Sequence, residues 1–78
     1  MDAMNIVRDL LDESDMGQRE LSRRMNRSDN FIFSTLKRNT DPRISTFLTI
    51  LHTLGYNLYV TTANGKPIIE VTKPDKAD

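Results

Sequence analysis

Apolar residues recur at helical spacing as far as residue 56 and then switch to strand-like alternation, which predicts four helices and a hairpin. Met4, Val7, Leu10 and Leu11 share one face of a helix from about Ala3 to Glu13, with Asp2 placed to cap it. Ser14, Asp15 and Gly17 break that helix, and Gly17 is an acceptable cap for a second, from about Gln18 to Met25. In the second helix Leu21 and Met25 face inward, while Arg19, Arg23 and Arg24 face outward. Asn26-Arg27 is a turn whose corner calls for positive φ, a conformation that asparagine tolerates best after glycine. Ser28 is then expected to cap a third helix from about Asp29 to Lys37, with Asp29 at the positive end of its dipole. Residues 39–43 form a polar loop in which Pro42 pushes Asp41 out of the α region. A fourth helix follows from about Ile44 to Leu54, with Ile44, Phe47, Leu48, Leu51 and Leu54 as its apolar stripe and Gly55 as its terminator.

Beyond Gly55 the period changes. Asn57 to Thr62 and Pro67 to Thr72 flank Asn64-Gly65, a strong two-residue hairpin signal. That turn pairs Leu58 with Val71, Tyr59 with Glu70, Val60 with Ile69 and Thr61 with Ile68. Four aliphatics then share one face, which is expected to cover the helices. Tyr59 and Ile68 leave the second face partly apolar and are the candidates for a dimer contact. The predicted fold is therefore mostly α with a C-terminal β-hairpin. Residues 1–56 form a four-helix domain, 57–72 continue it as two strands, and 73–78 read as a flexible polar tail.

Length and composition narrow the possibilities. Seventy-eight residues make one domain with a marginal core. The chain has no cysteine and one histidine, which leaves no disulfide staple and no zinc ligand set, so no cofactor is expected. A homodimer is the remaining way to add buried surface. No apolar run reaches a membrane span and the start MDAMNIVRD is unlike a signal peptide, so a cytoplasmic protein without membrane attachment is expected.

The net charge of zero hides a strong asymmetry. Residues 18–43 hold seven of the eleven basic residues against three acids, whereas residues 1–17 hold one arginine against five acids. A basic patch on two abutting helices suits a duplex, whose phosphates attract lysine and arginine whatever the total charge.

Gln18 to Lys37 resembles the helix-turn-helix of the phage-repressor-like family, often called the Cro/cI or XRE family. The features that carry the resemblance are a glutamine opening the second helix (Gln18), a small residue at its fifth position (Ser22) and a corner four residues later (Asn26). PRISTFLTILHTLGY, from Pro42 to Tyr56, resembles the family's fourth helix, so the similarity spans about residues 4–56. It departs at Asn26, where glycine is usual, at Arg27, where an aliphatic is usual, and at Thr35, where a buried aliphatic is common. A strand-type tail in place of a fifth helix is reminiscent of DNA-binding antitoxins, whose tails help form the dimer.

The resemblance implies a third helix that reads double-stranded DNA in the major groove with the residues near its N-terminus. Ser28, Asp29, Asn30, Phe33, Ser34 and Lys37 are the candidates for its exposed face, with the phase open by one residue. Asn30 suits adenine, and Asp29 suits a cytosine amino group or a capping role. Phe33 suits a thymine methyl, or the core if the phase shifts. Gln18 and its helix start suit a phosphate. Arg19, Arg23, Arg27, Lys37, Arg38 and Arg43 are candidates for backbone contacts; singly such arginines are as often merely solvated, and their clustering is the more specific signal. His52 reads as a surface or boundary residue, and Asp9, Asp12 and Glu13 as a solvated face with no pocket for a general acid. The leading expectation is a transcriptional repressor binding a pseudo-palindromic operator as a dimer, not an enzyme. The alternatives are an antitoxin with a toxin protein as partner, or an interaction module that lost DNA binding.

Overall fold

The computed structural model describes residues 1–73 and contains four helices followed by a two-stranded antiparallel hairpin. The elements are α1 (Ala3–Glu13), α2 (Gln18–Arg24), α3 (Phe31–Arg38), α4 (Ile44–Leu54), β1 (Leu58–Thr61) and β2 (Pro67–Val71). The expected tail lies outside the described residues except for Lys73.

Each helix end has an identifiable cause. Asp2 caps α1 by accepting the Asn5 amide at 2.9 Å. The helix stops where the Ser14 amide donates back to the Leu10 and Leu11 carbonyls. α2 closes through a pair of nested bonds, Asn26 N–H to Arg23 O and Arg27 N–H to Ser22 O, both 2.9 Å. This closure puts Asn26 at φ 59°, as the corner requires. α4 ends in the same way at Gly55, φ 94°, with Tyr56 N–H on Leu51 O at 2.8 Å.

The core gathers Met4, Val7 and Leu11 of α1, Leu21 of α2, Ile32 and Leu36 of α3, and Phe47, Ile50 and Leu51 of α4. Two positions of α4 depart from the expected stripe. Ile50 is fully buried, and Ile44, in the first turn, is 57% exposed. The stripe of α4 is wider than a single face because α1 and α2 both pack against it.

The hairpin keeps three of the four expected pairs: Leu58 with Val71, Tyr59 with Glu70 and Val60 with Ile69. Thr61 pairs with Pro67 rather than Ile68. The turn is one residue longer than two. Gly65 N–H donates to Thr62 O and Thr62 N–H to Lys66 O, both at 2.9 Å, with Gly65 at φ 91°. That is a three-residue loop closing on a left-handed glycine. The register shift between Val60 and Thr61 offsets the longer loop, which is why the inner pairs are unchanged. The hairpin does not cover the helices as expected. Leu58 packs on the core at its base, while Val60 and Ile69 remain 50% and 59% exposed.

Candidate nucleic-acid interface

A buried hydroxyl sets the spacing between α2 and α3. Ser22 Oγ donates to Gln18 O at 2.8 Å and accepts the Ile32 N–H at 3.0 Å, so one small side chain ties the body of α2 to the start of α3. Beside it Leu21 and Ile32 are fully buried, fixing the rotation of both helices.

That rotation settles the phase left open by the sequence. Ile32, Thr35 and Leu36 point inward; Phe33, Ser34, Lys37 and Arg38 form a continuous exposed ridge. Thr35 is accommodated in the interior because its hydroxyl donates to Phe31 O at 2.8 Å. Phe33 is half exposed, with Lys37 Nζ 5.9 Å from its ring centre, and so belongs to the outer face.

The start of α3 needs correction. The helix begins at Phe31, two residues later than expected, and Ser28 does not cap it with its side chain. Instead the Ser28 carbonyl accepts the Phe31 amide at 3.0 Å, and Asp29 and Asn30 occupy an exposed turn leading into the helix. Asp29 is not a cap either. Its two carboxylate oxygens accept from Nε and Nη2 of Arg23 at 2.8 and 2.9 Å. Hydrogen bonding to Arg23 is the chief reason the Asp29 carboxyl sits below its ordinary range. The same contact holds the guanidinium proton still more firmly than usual.

Two grooves flank the α3 ridge. One, of about 500 Å³, lies between α1, the start of α2 and α3, with Gln18, Phe33, Lys37, Arg8 and the acid Asp12 among its lining. The other, of about 320 Å³, is lined by Arg27, Phe31, Arg38 and Arg43 together with residues of the α3–α4 loop. Arg27 lies over the Phe31 ring, 4.8 Å from its centre. The cations are not equally available. Arg24 is paired with Glu20 at 2.6 Å and Arg23 with Asp29, and Arg19 lies 4.0 Å from Asp29. Arg27, Lys37, Arg38 and Arg43 have no ion-pair partner among the described residues.

One residue that holds α3 in place escaped the sequence pattern. Arg8 of α1 donates to Leu36 O at 2.8 Å and to Asn39 Oδ1 at 3.2 Å, gripping the carbonyl end of α3. Asn39 ends that helix at φ 52°. A lone arginine on an acidic helix gives no local signal of a partner 28 residues away.

The two residues expected at a dimer contact, Tyr59 and Ile68, are 47% and 56% exposed. His52 is also exposed. No group of metal-binding side chains occurs among the described residues, and no helix among them is long and apolar enough to cross a membrane. Comparison with protein-family models, curated proteins and solved structures gave no significant match.

Proposed function

We propose that this chain is a sequence-specific DNA-binding transcriptional regulator of the phage-repressor-like helix-turn-helix kind, acting as a dimer on a pseudo-palindromic operator. One observation carries the reading: the exposed ridge of α3 stands between two grooves that bear cations. A helix of this size fits a major groove, and the flanking side chains then fall toward the sugar-phosphate strands on either side. Asn30, Phe33 and Ser34 would meet base edges. Gln18 and Lys37 would take one phosphate strand, and Arg27, Arg38 and Arg43 the other. Ser28, with its hydroxyl free of the helix cap, belongs with the phosphate-facing set. Two copies would place their α3 helices about 34 Å apart, one turn of duplex. Repression would follow from covering a promoter, in the cytoplasm.

Nuclear magnetic resonance of the labelled chain, titrated with a duplex, tests the docking face. Shifts are expected at Gln18, Asn30, Phe33, Ser34, Lys37 and Arg38, with the outer hairpin unaffected. Shifts confined to the hairpin would refute it.

A second reading, an antitoxin, draws support from the hairpin. Val60 and Ile69 on one face of the hairpin, and Tyr59 and Ile68 away from it, are all about half exposed, apolar area suited to a protein partner. An adjacent reading frame encoding a toxin, neutralised by this chain but not by a chain ending after Tyr56, would favour it.

A further inference from the structure

We propose that Arg23 and Asp29 act as one composite base reader, in which the carboxylate holds the guanidinium so that its free edge meets a guanine. The inference rests on the DNA-binding reading and deepens it by naming a base. Sequence position alone assigns Arg23 to a phosphate; the geometry assigns it otherwise.

A guanidinium offers five N–H donors along fixed edges. Asp29 takes the edge made by Nε and Nη2. Of the three N–H groups left, two form the end edge, one from each Nη, with the spacing that matches two acceptors side by side, such as O6 and N7 of guanine. Arg23 makes no other hydrogen bond among the described residues. A long side chain that would otherwise sample many rotamers is thus held before DNA arrives, which lowers the ordering cost of the contact.

Charge bears on the choice between base and phosphate. A phosphate at that end edge would be drawn less strongly than to an unpaired arginine, because the Asp29 carboxylate offsets the guanidinium charge; Arg19, 4.0 Å from Asp29, restores part of that attraction. Guanine presents neutral acceptors and loses less by that offset. The position agrees: Asp29 lies in the exposed turn that leads into α3, next to Asn30, at the end that the DNA-binding reading sends into the groove. Both side chains are well exposed, 63% for Arg23 and 49% for Asp29, so the pair is open to solvent.

The test is selection of bound duplexes from a randomised pool by the full chain and by Arg23→Lys and Asp29→Ala, with the bound fraction sequenced. Circular dichroism melts confirm that each variant is folded. The original chain is expected to enrich guanine at one position per half-site on the order of tenfold. Arg23→Lys keeps the charge and loses the fork; Asp29→Ala keeps the fork and loses its brace. Each should abolish that one preference and leave the others. Retention of the guanine preference in either variant overturns the proposal. So does a uniform loss of affinity in Arg23→Lys, which would mark a phosphate contact. Salt-dependent binding without any sequence enrichment defeats this inference while DNA binding stands; no binding to any duplex defeats both.

Discussion

The amide of Ile32 donates to the hydroxyl of Ser22 at 3.0 Å, and both residues are fully buried. Ser22→Ala keeps the helices close but strands that amide. Leaving a buried donor unpaired costs about 1–3 kcal/mol. In a domain of this length each 1 kcal/mol lowers the melting temperature by about 4–8 °C. A thermal melt followed by circular dichroism should show a fall of that size. An unchanged melt would mean that the clasp adds nothing to stability.

Asn26 holds φ 59° at the corner between α2 and α3. Glycine takes that conformation freely, so Asn26→Gly should be near neutral. A β-branched residue meets its own carbonyl there, and Asn26→Val should lose about 1–2 kcal/mol. Urea unfolding of the two variants separates them; equal midpoints would contradict the role given to this backbone angle.

The ion pair between Arg23 and Asp29 has a pH signature. Because the folded carboxyl titrates below its unfolded value, its stabilising contribution is complete above the ordinary aspartate range, near pH 4. It is lost as pH falls from there through the lower folded pKa. Both groups are exposed, so the energy is that of a surface pair. Carbon-detected titration should find Asp29 depressed in the original chain and returned toward the ordinary value in Arg23→Gln. A titration unmoved by that substitution would place the cause elsewhere.

The outer hairpin carries apolar side chains that the helices do not cover. If a second copy covers them, Ile69→Lys should shift sedimentation from dimer to monomer and leave the helical circular dichroism unchanged, because Ile69 is 59% exposed and outside the core. A dimer that persists would locate the interface on another face.

What the sequence made legible was what local chemistry decides. Asp2, Asn26 and Gly55 announced their caps and corners because each satisfies a backbone need within a few residues. The helix order followed from period, and three hairpin pairs from the Asn64-Gly65 turn, whose extra loop residue the register shift offsets. Long-range choices were not legible. Ser28 has the composition of a helix cap, yet Arg23 competes for its neighbour Asp29 across the turn, and the helix begins later. The exposure of Val60 and Ile69 depends on how far the hairpin extends past the helices, which alternation along a strand cannot encode. Arg8 illustrates the same limit, since its partners Leu36 and Asn39 belong to another helix and its end. Of the candidate interface, the ridge and its flanking cations were foreseeable, and the sharing of Arg23 with Asp29 was not.

Fluorescence anisotropy of a labelled duplex at stepwise salt concentrations tests most directly the proposed binding of DNA by the α3 ridge and its flanking cations. Each phosphate contact adds about −0.9 to the slope of log affinity against log salt. Five candidates, Gln18 apart (Arg19, Arg27, Lys37, Arg38 and Arg43), are charged and not held in a close ion pair. A slope of about −3 to −4.5 per protomer, and about twice that for a dimer on both half-sites, is expected if most of them engage. Arg43→Gln should make it shallower by about 1 per protomer. A flat salt response, or a slope indifferent to Arg27, Lys37, Arg38 and Arg43 alike, would contradict the account.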